Sequence, residues 1–146
     1  MKIIVQRCEK AKVTVKGKTV GSIESGLMLL VGFTHTDTEK EIDYMVDKVI
    51  NLRIFDDEAG IMNKSLIDTK GSILSVSQFT LYADPSKGRR PSYINALSGD
   101  KAINLYNLFN QKLKEKLHDK VSTGIFRSDM KVSLINDGPI TIMIER

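Results

Sequence analysis

The stretch Leu27-Met28-Leu29-Leu30-Val31-Gly32-Phe33 is a nearly continuous apolar run, and it decides the class of fold. Its short length and the glycines around it predict a strand that is buried on both faces. Upstream, Val13-Thr14-Val15 and Thr19-Val20 flank Lys16-Gly17-Lys18, a pattern that predicts a β-hairpin. A first strand is expected before this hairpin, at about residues 2–7.

The residues after this run predict the clearest helix of the chain. Thr38-Glu39-Lys40-Glu41 has the form of a capping box, which marks a helix start. The apolar residues that follow have the i, i+3, i+4, i+7, i+8 spacing of a helix face: Ile42, Met45, Val46, Val49 and Ile50. Leu52-Arg53-Ile54-Phe55 is then expected to form a strand that ends in a turn at Asp56–Gly60.

A second long strand is predicted over Ser72–Tyr82, because this segment is rich in β-branched and aromatic residues. Alternation along the strand would place Ser77 and Thr80 on opposite faces, so they could cooperate only if the strand bends or ends between them. Residues 84–91 contain two prolines, a glycine and three cations. This composition predicts an exposed loop.

The remaining segments complete an α+β pattern. A second helix is expected at about residues 100–118, with an apolar stripe of Ala102, Leu105, Phe109, Leu113 and Leu117. Two closing strands, at about 130–135 and 140–144, are expected to be joined through 136–139. Strands and helices do not alternate regularly. We therefore predict a single α+β domain over residues 1–146, with a mostly antiparallel sheet or partly closed β-barrel covered by two main helices.

Composition narrows the function only slightly. The net charge of +4 and pI near 9.1 are mildly favourable for a polyanionic partner. The single cysteine, Cys8, cannot form an intrachain disulfide, and no Cys/His spacing suits zinc. The apolar run at Met1–Val5 is too short for a signal peptide or a membrane span. We expect a cytoplasmic protein with no membrane association and with no metal or cofactor.

Two short segments are the most informative of the chain: Ser77-Gln78-Phe79-Thr80-Leu81 and Gly138-Pro139-Ile140-Thr141. Neither contains a His, Cys or carboxylate, so any chemistry there must be carried largely by hydroxyls, backbone groups and the substrate. A Ser or Thr nucleophile needs an adjacent base, and the sequence supplies none nearby. Gly138-Pro139 has two interpretations, a plain turn between strands or a cis peptide, which is affordable before proline.

Other candidate groups have ordinary structural explanations. His35 lies in a loop and His118 among lysines at a helix end, where a cation is stabilised by the dipole. Asp56-Asp57-Glu58 has no calcium-loop spacing and is interpreted as a charged turn. Lys87, Arg89 and Arg90 are either a solvated loop or a grip on phosphates through the guanidinium groups.

Taken together, these motifs closely resemble the D-aminoacyl-tRNA deacylase family over essentially the whole chain. Six segments carry the resemblance in the correct order: Val5-Gln6-Arg7, Leu52-Arg53-Ile54-Phe55, Met62-Asn63-Lys64-Ser65, Val76 to Leu81, Lys87-Gly88-Arg89-Arg90-Pro91-Ser92, and Asn136 to Thr141. The resemblance implies a homodimer that hydrolyses the ester of D-aminoacyl-tRNA, and of glycyl-tRNA mischarged on tRNA-Ala, with active sites at the subunit interface.

The resemblance also implies roles for individual residues. Ser77, Gln78, Phe79 and Thr80 would form the catalytic segment, with the backbone N–H of Phe79 stabilising the oxyanion and that of Thr80 as a second candidate donor. Gly138 and Pro139 would be a Gly-cisPro pair that reaches into the partner subunit and rejects L-amino acids. Arg7 would support this pair. Lys87, Arg89 and Arg90 are candidate tRNA contacts.

The sequence departs from the family pattern at one segment. Where relatives commonly have T-G-x-F-G-A-x-M, this chain has Thr123-Gly124-Ile125-Phe126-Arg127-Ser128-Asp129-Met130. Arg127 there would alter the loop or add a phosphate contact. Two alternatives to the main hypothesis stay open: the same hydrolysis with Thr80 as a covalent nucleophile, and a non-catalytic dimer that binds tRNA.

Overall fold

The computed structural model describes residues 1–146 as eight strands and two α-helices. The strands are β1 Lys2–Val15, β2 Lys18–Ile23, β3 Gly26–Gly32, β4 Phe55–Asp56, β5 Met62–Lys64, β6 Ser72–Ser77, β7 Val121–Thr123 and β8 Lys131–Glu145. The helices are α1 Glu39–Asn51 and α2 Gly99–Leu117, and two short 3₁₀ turns lie at Phe79–Tyr82 and His118–Lys120. Neither α-helix is long and apolar enough to cross a membrane.

Six of the strands form one sheet around β1. The sheet order is β2-β1-β3-β6-β7, and β8 pairs with β1 along its other edge. All pairings of β1 are antiparallel, whereas β3 with β6 and β6 with β7 are parallel. Helices α1 and α2 lie in the connections between the parallel strands, which need such crossovers. The α+β prediction is confirmed, but the sheet is more evenly mixed than predicted.

The outer strands β2 and β7 approach each other and nearly close the sheet into a barrel. The Ser122 hydroxyl donates a 2.9 Å hydrogen bond to the carbonyl of Ser22. A Cβ atom at Gly21 would lie only 2.7 Å from the carbonyl oxygen of Thr123. Glycine at position 21 therefore permits the close approach of the two backbones that closes the barrel.

The sheet has a hydrophobic cluster on each face. The larger cluster contains most of the α1 and α2 stripes together with Leu29 and Ile73, and the smaller contains Met28, Leu74 and Val76. Alternate residues of β3 and β6 thus enter different clusters. The prediction that the Leu27–Phe33 run is a strand buried on both faces is confirmed.

The helix predictions hold with one adjustment. The capping box of α1 is present, with the Thr38 hydroxyl accepting from the Lys40 N–H and the Glu41 carboxylate accepting from the Thr38 N–H. In α2 the fully buried stripe includes Tyr106, whereas Leu105 is half-buried. Tyr106 lies four residues after Ala102 and therefore on the same face.

The predicted strand over residues 52–55 is wrong. The chain leaves α1 at Leu52, and only Phe55–Asp56 pairs, with Met62–Lys64. Arg53 reaches the neighbouring segment through its side chain, whose Nε donates to the Asn63 carbonyl at 2.8 Å. Pairing across the turn at residues 57–60 therefore begins later than the sequence pattern indicated.

The two predicted closing strands are one strand, β8, interrupted by a large bulge. Cys8 of β1 pairs with Asn136 and Gln6 pairs with Thr141, so two steps along β1 oppose five steps along β8. The strand stays continuous because the Asn136 amide donates across the base of the bulge to the carbonyls of Arg7 and Ile140, each at 2.9 Å. Residues 137–140 project from the sheet as a result, and this segment is called the Gly-Pro bulge below.

Candidate functional site

The predicted strand over Ser72–Tyr82 ends early, and its end creates the candidate site. Strand β6 stops at Ser77, Gln78 donates its N–H to the Val31 carbonyl at 2.7 Å, and a 3₁₀ turn follows at Phe79–Tyr82. The side-chain amide of Gln78 donates to the Thr80 hydroxyl. The strand thus ends between Ser77 and Thr80, the condition under which their side chains can act at one site.

This turn presents backbone donors. Within the turn, Leu81 donates to the Gln78 carbonyl at 3.4 Å and Ala83 donates to the Thr80 carbonyl at 3.0 Å. The N–H groups of Phe79 and Thr80 open the turn and have no acceptor inside it, as at any helix start. Adjacent unpaired N–H groups of this kind can stabilise the oxyanion of an acyl-transfer intermediate.

A cleft of about 460 Å³ lies beside the turn. Ser77–Phe79 line it together with Val31 of β3, Leu97 and Ala102 near the start of α2, and the loop Phe126–Met130. Its walls are mainly apolar, and a few polar groups converge on it, as in many ligand sites. A second, shallower groove of about 710 Å³ shares Phe126 with the cleft and contains none of the predicted site residues.

The sequence pointed to a phosphate contact at Arg127 but did not indicate that its loop forms a wall of the cleft. The loop follows β7, which runs parallel to β6. The segments that follow these two strands therefore leave the sheet at the same end. Loops after neighbouring parallel strands commonly build sites together. The parallel pairing, which the sequence pattern did not reveal, is the signal that would have found this wall.

Arg127 in this loop has a left-handed backbone, with φ of 62°. An L-residue other than glycine is destabilised by about 1–2 kcal/mol in this region, so the backbone at Arg127 is strained. Its guanidinium carbon lies 5.9 Å from the ring centre of Phe126. The neighbouring Asp129 carboxylate lies 3.1 Å from the Lys131 ammonium.

Tyr106 fixes the end of β6 from the helix side. Its buried hydroxyl donates to the Ser75 carbonyl at 2.8 Å, two residues before Ser77. Burial raises the pKa of this phenol, so the hydroxyl stays protonated as a donor. This hydrogen bond therefore connects α2 directly to β6 beneath the cleft.

The basic loop is exposed and joins the site at its base. Lys87, Arg89 and Arg90 are exposed and make no ion pair. The loop is closed by two backbone hydrogen bonds between Asp84 and Ser92, of 2.8 and 2.9 Å. The next residue, Tyr93, packs edge-on against Phe79 with 5.1 Å between the ring centres. The loop that carries these three unpaired cations is therefore attached at the rim of the candidate site.

The Gly-Pro bulge is held by polar side chains from below. Buried Arg7 donates to the Ile54 carbonyl at 2.8 Å, and its Nε lies 2.8 Å from the Asp137 carboxylate as an ion pair not aligned for a hydrogen bond. Gly138 has φ of 111°, and a Cβ there would lie 2.9 Å from the Ile140 side chain. The Gly138-Pro139 peptide bond is cis, and both residues are exposed.

The structure brings together only part of the predicted site. Ser77, Gln78 and Phe79 line the cleft, and Thr80 joins them through the Gln78 amide. Gly138 and Pro139 do not line the cleft of their own chain. Within one chain, the predicted catalytic segment and the bulge therefore do not line the same cleft.

The remaining reactive side chains have structural roles. Burial raises the pKa of the Cys8 thiol to about 11, so it is not a thiolate near neutral pH. The His35 ring lies in a loop, with its Nε2 2.9 Å from the Ile94 carbonyl. The Asp57 carboxylate accepts from the N–H groups of Ala59 and Ile61, which confirms the turn. No group of three His, Cys, Asp or Glu side chains is arranged to hold a metal ion.

The fold and the site define an α+β protein with a cleft in which the groups available for chemistry are hydroxyls and backbone N–H groups. Comparison with known families identifies the class further. Residues 4–145 match the family model described as D-Tyr-tRNA(Tyr) deacylase. The chain belongs to this family.

Curated relatives support this assignment, and solved structures share the fold. The chain is 56% identical to the D-aminoacyl-tRNA deacylase of Brevibacillus brevis and covers 99% of both chains. It is 54% identical to that of Clostridium tetani, over 99% of this chain and 97% of the relative. The solved structure of a c-Myc DNA unwinding element binding protein superposes with a TM-score of 0.95, at 40% identity over 100% and 99% of the two chains. A probable eukaryotic D-amino acid tRNA deacylase shares the fold, with a TM-score of 0.84 at 18% identity over 98% and 97%.

Proposed function

We propose that the protein hydrolyses the ester bond of D-aminoacyl-tRNA to free amino acid and tRNA, and that it spares L-aminoacyl-tRNA. Family membership and the near full-length identity to D-aminoacyl-tRNA deacylases support a hydrolase of this class. One structural observation carries the proposal: the N–H groups of Phe79 and Thr80 open a turn beside an apolar cleft. This arrangement suits an acyl ester whose alcohol is a nucleoside.

The cleft is the proposed site of the terminal adenosine. Its apolar walls, including Phe126 and Ala102, suit a flat base, and Phe79 leads from the cleft to the turn. In this position the ribose would place the ester carbonyl over the N–H groups of Phe79 and Thr80. The substrate's amino acid would then extend outward, toward the exposed ring of Phe79.

The proposed chemistry uses water as the nucleophile. Water adds to the ester carbonyl, and the backbone N–H groups stabilise the resulting oxyanion. The intermediate then collapses, the carbon–oxygen bond to the ribose breaks, and the ribose oxygen takes up the proton that the water loses. The vicinal ribose hydroxyl of the substrate assists this transfer. Asp129 also lines the cleft, but its carboxylate is 84% exposed and paired with Lys131.

The partner subunit is proposed to complete the site with its Gly-Pro bulge. Gly138 and Pro139 of the bulge are exposed and do not line the cleft of their own chain. The bulge projects from β8, an edge strand that also exposes Ile135 and Met143, and an apolar edge of this kind favours association. The carbonyls of Gly138 and Pro139 would accept hydrogen bonds from the substrate ammonium, which leaves no room for an L side chain and admits glycine.

The first test compares matched substrates. Purified protein should release free tyrosine from D-Tyr-tRNA and not from L-Tyr-tRNA. Protein that binds D-Tyr-tRNA without releasing amino acid would overturn the proposal and favour the non-catalytic tRNA-binding dimer. Release from glycyl-tRNA in the same assay tests whether exclusion acts on the side chain alone.

A pair of substitutions tests the oxyanion donor. Phe79→Pro removes the backbone N–H and keeps a φ that a 3₁₀ turn accepts, while Phe79→Ala removes only the ring. The proline variant should lose about 100-fold more kcat than the alanine variant, as for other oxyanion donors. Equal activity of the two variants would exclude this N–H from the mechanism.

The shared site can be tested by mixing two inactive variants. Gly138→Ala disturbs the bulge and Phe79→Pro disturbs the cleft, so neither homodimer has a working site under the proposal. After exchange of equal amounts of subunits, half of the dimers are mixed and each has one intact site, so about a quarter of wild-type activity should return. No recovery in verified mixed dimers would show that bulge and cleft do not meet between subunits.

A further inference from the structure

We propose that Arg127 binds the phosphodiester that joins the terminal adenosine of the tRNA to the preceding nucleotide. This inference rests on the proposed function and adds to it a substrate contact at a position where the family pattern has glycine. It makes Arg127 a binding residue for RNA at the mouth of the cleft, separate from the basic loop.

Charge singles out Arg127. It is the only Lys or Arg among the residues that line the cleft. The one carboxylate there, Asp129, is paired with Lys131, with its two oxygens 3.1 and 3.2 Å from the ammonium. Arg127 itself makes no ion pair and no side-chain hydrogen bond, and it is exposed. The cleft therefore carries one positive charge that no protein group compensates.

The position of Arg127 suits contact with an RNA strand that runs from the cleft to the groove along α2. The guanidinium lies beside the Phe126 ring, and Phe126 is shared by the cleft and by the larger groove along α2. A strand that leaves the cleft toward this groove must cross Phe126 and pass Arg127. The first anionic group it carries is the phosphate on the 5′ side of the terminal adenosine.

The backbone of the loop gives a further reason. An arginine occupies a left-handed position, φ 62°, that glycine would occupy without strain. Strained residues concentrate at functional sites and are retained where the side chain is useful. A guanidinium can donate two parallel hydrogen bonds to one phosphate, a use that neither glycine nor alanine provides.

Three substrates of increasing length test the proposal: D-tyrosyl-adenosine, which has no phosphodiester, the D-tyrosylated trinucleotide CCA, and D-Tyr-tRNA. Arg127→Gln should raise KM about tenfold for the trinucleotide and the tRNA, because one charge-assisted contact is lost, and kcat should remain. The increase should fall below twofold for D-tyrosyl-adenosine. The salt dependence of log KM for the trinucleotide should weaken by about 0.7, as for one phosphate contact in a single strand.

Two further variants separate contact from loop structure. Arg127→Gly removes the charge and relieves the left-handed strain, so it should melt at or above the wild-type temperature and still show the higher KM. Lys48→Gln removes one exposed charge from α1 and controls for net charge. An equal KM increase with D-tyrosyl-adenosine, or no increase with the trinucleotide, would overturn the assignment. A wild-type protein inactive on all three substrates would overturn the proposed function and this contact with it.

Discussion

The turn proposed as catalytic and the Gly-Pro bulge both arise where a strand departs from regular pairing, but they are held in different ways. The turn at Ser77–Tyr82 follows a buried strand and is fixed by backbone bonding to Val31 and by the Tyr106 hydroxyl. The bulge lies on an edge strand and is fixed by side chains, chiefly Arg7 and Asn136.

This difference predicts how folding and function are coupled in each half of the proposed site. Because the turn is continuous with the core, its geometry follows from packing, and substitutions beneath it should reduce stability and activity together. The bulge contributes few core contacts. Substitutions there should reduce activity while the protein remains folded.

Gly138→Ala is expected to give the largest loss of activity with little loss of stability. An alanine at φ 111° is strained, and its Cβ would lie 2.9 Å from the Ile140 side chain, so the bulge must change shape. We expect kcat/KM on D-Tyr-tRNA to fall at least about 100-fold, or roughly 3 kcal/mol in transition-state stabilisation, with a small change in melting temperature.

Gly60→Ala is the matched control for this prediction. Gly60 also has positive φ, 74°, but a Cβ there would meet no atom within 4 Å. It should cost about 1–2 kcal/mol of stability and leave turnover intact. If both variants lose activity equally, the bulge has no specific role.

Tyr106→Phe is expected to reduce stability and activity together, and each by a smaller amount. The variant loses the hydrogen bond to the Ser75 carbonyl but leaves that carbonyl bonded to the Gly124 N–H at 2.9 Å. Unfolding free energy should fall by about 1 kcal/mol, and kcat by up to about fivefold, because the end of β6 is less firmly held. Full kcat at reduced stability would show that the turn does not depend on this anchor.

Sequence reasoning succeeded where the signal was local. The capping box at Thr38 predicted α1, the continuous apolar run at Leu27–Phe33 predicted β3, and the β-branched and aromatic residues after Ser72 predicted β6, because in each case the determining residues are neighbours in the chain. It failed where a residue far away in the sequence determines the local structure. The end of β6 depends on the Val31 carbonyl, the bulge depends on Arg7 and Asn136, and the loop at Arg127 enters the cleft only because β7 pairs in parallel with β6.

The site residues follow the same rule. Ser77–Thr80 and Gly138-Pro139 could be assigned from sequence only through resemblance, since neither segment carries a group with a chemical signature of its own. The wall at Phe126–Met130 depends on tertiary packing, since Phe126 packs against the main hydrophobic cluster and its ring centre lies 5.8 Å from that of Tyr106 in α2. Its residues have no motif that predicts a cleft.

Thr80→Val tests whether the turn acts through its backbone or through a side chain. The variant loses the bond from the Gln78 amide but keeps the shape of threonine, so we expect kcat to fall by less than about fivefold. A covalent nucleophile would lose about 10³-fold or more. Rapid-quench analysis should also find no aminoacyl-enzyme, and its accumulation in the wild type would establish the covalent alternative.

The smallest effect is expected for Asp129→Asn, the one carboxylate in the cleft. If Asp129 were the general base, its loss would cost about 10²–10⁴-fold in kcat. Because it is exposed and paired with Lys131, we expect kcat to change by less than about twofold. The lost negative charge leaves the cleft more positive around Arg127, so KM for D-Tyr-tRNA should fall slightly at low salt and return to the wild-type value at high salt, where exposed charges are screened. A large loss of kcat would instead move the catalytic centre from the backbone of the turn to the loop that faces it.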